Sequence, residues 1–217
     1  MRDGFVKVAA GTPEIRVADC TYNAQQIIAL MKQAEEGHVK VLTLPELCVT
    51  GYTCGDLFLQ DTLLDGAMDA LRAIMEATRE LEVLTALGMP LRSMNKLYNC
   101  AVMLSHGEIL GVVPKSNIPN YSEFYEVRHF TAGPDAEAVP QQQSLHHHTG
   151  YTFPFGAKLL FSCAEMPDFT FGVEICEDVW VGDTPSVAMA KAGATLSVNL
   201  SCSDEFIGKE DYRRTIL

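Results

Sequence analysis

Between residues 82 and 117 three apolar runs, EVLTALGMPLR, LYNCAVMLS and EILGVVPKSN, follow one another almost without interruption, the last two joined by His106-Gly107. Spacing this tight leaves no room for helical crossovers, so the runs read as three strands of hairpin type, with His106-Gly107 as a turn. The pattern before them differs. Residues 3 to 9 read as a first strand, Asn23 as the cap of a helix through AQQIIALMKQAEEG that Gly37 ends, and VKVLTLPE as a buried strand stopped by Pro45. DLFLQDTLLDGAMDALRAIMEATRELE is the longest helical signal, with a break expected near Gly66. After the hairpins come the strands AKLLFSC and FTFGVEICE, the helix TPSVAMAKAGA and the strand ATLSVNLSC. Crossover units on both sides of a hairpin run imply a layered α/β fold with a mixed sheet. No repeat and no Gly/Ser linker divides the 217 residues, so one domain is expected.

Composition narrows the partners. A net charge of -12 argues against nucleic acid and anionic membranes, both of which demand clustered Lys and Arg. No apolar stretch reaches the roughly 18 residues of a spanning helix, and the N-terminus lacks the apolar segment of a signal peptide. Seven cysteines, an odd number with no CxxC pair, read as reduced thiols of a cytoplasmic protein. The run His146-His147-His148 lies in the polar stretch AEAVPQQQSLHHHTG, and adjacent histidines on one element cannot all face one ion; it reads as a surface loop, and no metal site is expected.

Three strand ends carry reactive groups. Glu46 follows VLTLP, Lys115 follows ILGVVP, and Cys176 follows FTFGVEI. A charge next to an apolar strand is most often its first solvated residue, but ligands of open α/β sheets gather beyond strand carboxyl ends, where the three could converge. Cys176 is flanked by Glu174, Glu177 and Asp178, which raise a thiol's pKa, so its activation needs a base and a cation from elsewhere in the fold. Glu46 would supply the base. Lys115, with the backbone N–H of Glu177, would hold an oxyanion. Asp178 and Trp180 read as shaping the turn and the pocket wall, and Cys48, Cys54 and Cys202 as packing residues.

The segments LPELCVTGY, PKSNIPNYSEFYEVRHFTAG and GVEICEDVW resemble, in that order, the Glu, Lys and Cys signatures of the nitrilase, or carbon-nitrogen hydrolase, superfamily. The resemblance implies a four-layer αββα sandwich and a Glu46-Lys115-Cys176 triad that hydrolyses amides or nitriles through a thioester, with Glu126 supporting the lysine. The flanks GYTCGDLF, NYSEFYEVRHF, TFPFGAKLLF and VNLSCSDEFIGK are similar to the glutaminase domain of glutamine-dependent NAD synthetases. That likeness implies glutamine as substrate, contacted by Tyr121, Ser203 and Lys209; from the residues alone, Tyr121 reads as a loop aromatic and Ser203 as a strand-end cap. It also implies no cofactor for glutamine hydrolysis, with ATP and Mg used only in a synthetase domain whose SGGxDS-type loop does not occur here. Since the sequence ends at DYRRTIL, where such a sandwich would still need strands, a C-terminally incomplete domain and pairing with another chain, as a homo-oligomer, are expected. The competing readings are a free-standing amidase or nitrilase and a non-catalytic assembly module.

Overall fold

A computed structural model describes residues 4–93, 95–134, 141–144 and 152–216. Its strands are β1 (Val8–Ala10), β2 (Val41–Thr43), β3 (Leu84–Ser93), β4 (Lys96–Ser105), β5 (Glu108–Pro114), β6 (Gln141–Ser144), β7 (Thr152–Phe155), β8 (Leu160–Cys163), β9 (Met166–Ile175) and β10 (Leu196–Leu200). The helices are α1 (Cys20–Glu36), α2 (Asp61–Ala77), α3 (Pro185–Lys191) and α4 (Lys209–Ile216). Seven strands form a mixed sheet in the order β1-β2-β3-β4-β5-β7-β6, and three form a second sheet in the order β10-β9-β8. β1, β2 and β3 run parallel through the crossover helices, while β3, β4 and β5 are antiparallel as the short connections require.

Strand alternation explains the layering. On β4, Cys100, Val102 and Leu104 join Ile27, Met31, Leu71 and Ile74 of α1 and α2 in one core. The intervening Ala101 and Met103 point the other way and meet Phe171, Val173 and Ile175 of β9 in a second core between the sheets. Both faces of the large sheet are covered, which is why its strands read as near-continuous apolar runs. α3 places Met189 over Gly172 of β9, on the outer face of the small sheet. The order helix, sheet, sheet, helix is the expected four-layer αββα sandwich. No described helix is long and apolar enough to cross a membrane.

Several local expectations are corrected. The first strand is only Val8–Ala10. α1 begins before Asn23: Asp19 caps it by accepting the Tyr22 N–H at 3.0 Å. Asn23 is buried inside the helix, where its amide binds the Arg16 and Val49 carbonyls and so ties two loops to α1. The helical segment after Asp56 breaks at Gln60, between the 3-10 turns of Tyr52–Leu59 and α2. Gly66 instead lies within α2, facing the Cys20 side chain across the α1–α2 contact. Part of the stretch read as a loop, Gln141–Ser144, is strand β6, paired antiparallel with β7. His146, His147 and His148 lie outside the described residues.

Candidate active site

Glu46 sits in the turn after β2, and the turn is tight because β3 lets it approach. A Cβ on Gly88 would lie 2.3 Å from the Pro45 carbonyl oxygen and 2.5 Å from the Leu47 nitrogen, so only glycine allows this turn to rest on β3. Leu47 takes a positive φ of 52°, and Cys176 one of 43°. Left-handed conformations cost a side-chain-bearing residue about 1–2 kcal/mol each, a strain commonly stored at functional sites. Cys176 opens a 3-10 turn, Cys176–Val179, directly after β9.

Lys115 follows β5 and is fully buried; its ammonium bonds Glu46 Oε1 at 2.7 Å and both oxygens of Glu126, at 2.8 and 3.0 Å. The three side chains carry one positive and two negative charges in the interior. Burial opposes the ammonium, but the two carboxylates outweigh it and hold Lys115 above its ordinary pKa. Burial lifts the Glu46 carboxyl above the usual carboxylate range; Lys115 pulls it back and the Glu126 charge adds to the rise. Cys176 is buried beside them. Its thiol is pushed up to about 12, by burial first and then by the Glu46 charge, against the pull of Lys115. The Ser201 hydroxyl approaches Sγ at 3.5 Å. At neutral pH the nucleophile candidate is therefore a buried thiol rather than a preformed thiolate.

The remaining expected residues line one cavity with Cys176. Its volume is about 510 Å³, and its walls include Tyr121, Phe124, Glu177, Trp180, Ser203 and Lys209. The Tyr121 hydroxyl donates to Glu177 Oε2 at 2.8 Å, so the Glu177 side chain serves the wall of the cavity. The Lys209 ammonium is held by Asp204 and the Ser203 hydroxyl. Trp180 stacks on Tyr212 at 5.4 Å. An adjoining, more apolar cavity of about 360 Å³ reaches Leu47, Tyr52, Phe58, Glu126 and Cys202.

Other residues of the site were not anticipated. Asn99, buried in β4, donates to Glu46 Oε1 at 2.7 Å, and Tyr52 donates to Glu126 Oε1 at 2.8 Å. Asn99 is the one amide in the apolar run LYNCAVMLS, and an uncompensated polar group in such a run was the available signal. Cys48 and Cys54 are buried as packing residues, but Cys202 is not: its side chain is exposed and its backbone N–H donates to Glu46 Oε2 at 3.1 Å.

The chain matches the carbon-nitrogen hydrolase family over residues 7–212. It is 39% identical over 213 residues to the glutamine-dependent NAD(+) synthetase of Mycobacterium leprae, covering 98% of this chain and 30% of that protein. Against the Aquifex aeolicus enzyme of the same name, identity is 30% over 202 residues, covering 93% of this chain and 31% of the relative. The chain thus spans about 30% of the length of these curated relatives. A crystal structure of a glutamine-dependent NAD(+) synthetase from Cytophaga hutchinsonii superposes with a TM-score of 0.77 at 28% identity, over 97% of this chain and 33% of that one. An amidase from Nesterenkonia shares the fold, with a TM-score of 0.66 at 20% identity, over 93% of this chain and 66% of the amidase.

Proposed function

Because the chain belongs to the carbon-nitrogen hydrolase family, we propose that it hydrolyses the side-chain carboxamide of glutamine, releasing ammonia, as the glutaminase module of a glutamine-dependent NAD synthetase. One observation carries the choice of substrate. The cavity above Cys176 is lined by the Lys209–Asp204 ion pair and by the Glu177 and Glu123 carboxylates, so groups of both signs stand where the ammonium and carboxylate of a small zwitterion would exchange with them. A simple aliphatic amide would bring no charge to meet them.

In the proposed reaction the Cys176 thiol attacks the carboxamide carbon as its proton passes to Glu46, so that no free thiolate has to form in a site that disfavours it. An ammonium has three N–H donors, and at rest those of Lys115 meet Glu46 Oε1 and both oxygens of Glu126; the longest contact, at 3.0 Å to Glu126 Oε2, would be given up to the oxyanion, with the Glu177 N–H as second donor. Glu46 returns the proton to the nitrogen, the C–N bond breaks, and ammonia leaves a thioester on Cys176. Water, deprotonated by Glu46, attacks the thioester; glutamate leaves and the sulfur regains its proton. The step draws only on side chains, backbone and water. Ammonia would pass to a synthetase portion of the kind that the longer relatives' name implies, where ATP and Mg would be used.

Incubation with glutamine, with glutamate and ammonia assayed together, tests the reading. Equimolar release that Cys176→Ala abolishes is expected; activity surviving that change would sink the mechanism, and a preference for simple aliphatic amides would move the chain to another amide substrate.

A further inference from the structure

Among the described residues the two sheets of the sandwich share no ladder hydrogen bonds, yet Lys115 leaves the large sheet at the end of β5 and Cys176 leaves the small one at the end of β9. The spacing between ammonium and thiol is therefore set by whatever crosses the gap at that end. Tyr121 reaches Glu177 and Glu46 accepts the Cys202 N–H across it, but one buried side chain bonds the backbone on both sides. Asp178, only 2% exposed, accepts the Asn117 N–H at 2.8 Å and the Asn117 side-chain amide at 2.9 Å on Oδ1. Its Oδ2 accepts the Ile175 N–H at 3.0 Å and reaches the Ser116 N–H at 3.4 Å. These donors belong to the residue before Cys176 and to the two residues after Lys115.

We propose that Asp178 is a positioning residue: its carboxylate locks the strained Cys176 turn of one sheet to the Lys115 loop of the other and so fixes the distance between nucleophile and cation. The proposal rests on the reading of Cys176 as the reacting group. The chemistry of the group fits the task. All four donors are N–H groups, and only a side chain that accepts on both oxygens satisfies them without presenting a donor of its own. Asparagine has the same shape but turns an NH₂ toward one pair, leaving buried N–H groups facing another donor. Cys176, at a φ of 43°, would then be free to relax toward ordinary backbone, carrying its sulfur away from Lys115 and Glu46. On the other side of the turn Asn199 donates to the Cys176 carbonyl at 3.2 Å, so the movement is confined to the Asp178 side.

Two variants test this, Asp178→Asn and Asn117→Ala, the second removing a single bond of the four. For Asp178→Asn the kcat for glutamine is expected to fall about 100-fold, the scale of an ångström-sized misplacement, with KM changed less than about threefold. Asn117→Ala is expected to lose severalfold in kcat with unchanged thermal unfolding. A readout independent of turnover is alkylation of Cys176 by iodoacetamide, followed by mass spectrometry as a function of pH with Cys163 as internal reference. The Cys176 profile should shift in both variants, because the thiol has moved relative to Lys115 and Glu46, and the Cys163 profile should not. Unchanged kcat and unchanged Cys176 profile in both variants would overturn the proposal, as would losses that merely track the unfolded fraction. If the unaltered protein proves inert toward glutamine, the glutaminase reading fails while the alkylation profiles still decide the role of Asp178.

Discussion

Replacing Lys115 by methionine keeps the volume of the side chain and removes its charge, leaving the Glu46 and Glu126 carboxylates facing each other in the interior. Both bond the same ammonium, at 2.7 and 2.8 Å, so the two bonding oxygens are no more than about 5.5 Å apart. At an effective dielectric of about 20 two like charges at that distance repel by about 3 kcal/mol. This agrees with the roughly 3–5 kcal/mol lost when one partner of a buried pair is removed. The loss should depend on pH in a definite sense. Burial and Glu126 already raise the Glu46 carboxyl in the folded state, and without the lysine nothing pulls it back. A carboxyl raised on folding contributes its full stability below the unfolded value, near 4.3, and loses it as pH rises through the folded value. The deficit of Lys115→Met relative to the unaltered protein should thus be about 3–5 kcal/mol at pH 7.5 and shrink to half or less at pH 5. Urea unfolding of both proteins at the two pH values measures it, with equal slopes confirming comparable unfolded states. A deficit below about 1 kcal/mol at pH 7.5, or one equal at both values, would show that the carboxylates do not feel each other as buried charges and would refute the reasoning.

Two further outcomes follow from the same geometry. Gly88→Ala drives a methyl group into the backbone on which Glu46 rides, so it should cost at least about 2 kcal/mol in urea unfolding and abolish glutamine turnover; full activity would mean that the turn can shift without consequence. Because burial and Glu46 push the Cys176 thiol up to about 12, its alkylation by iodoacetamide should keep rising with pH through 9, whereas a plateau below pH 7 would reveal a preformed thiolate and remove the need for Glu46 as base.

What the sequence disclosed and what it concealed divide along a physical line. Glu46, Lys115 and Cys176 were legible because each breaks an apolar strand abruptly, twice beside a proline, and a charge or thiol in that position requires an explanation that a surface residue does not. Glu126 and the cavity residues Tyr121, Ser203 and Lys209 became legible only through resemblance, since each has an ordinary role in a loop or at a strand end. The start of α1 was misplaced for a different reason: Asp19 and Asn23 are both good caps, and only tertiary contact decides that Asn23 is more use inside, binding Arg16 and Val49. Cys202 was read as packing because its contribution is a backbone N–H, which nearly any residue supplies and no side chain advertises.

That last contact shares a principle with Asp178. Glu46 belongs to the large sheet and is held by an N–H from the segment after β10 of the small one, as the loop that follows Lys115 is tied to the Cys176 turn by the Asp178 carboxylate. Ladder hydrogen bonds set register within each sheet, but the packing between the sheets is an apolar core, and apolar contact is non-directional. Fixing the Cys176 thiol relative to the Glu46 carboxylate and the Lys115 ammonium therefore needs directional links across the gap, and they lie where the two sheets open, at the strand ends that carry these three residues. If this is right, apolar substitutions in the inter-sheet core, such as Val173→Ala, should lower stability by more than they lower kcat, while loss of a polar link should do the reverse. Measuring both quantities on Val173→Ala and Asp178→Asn separates the two kinds of support, and parallel losses in both variants would show that the polar links merely hold the fold.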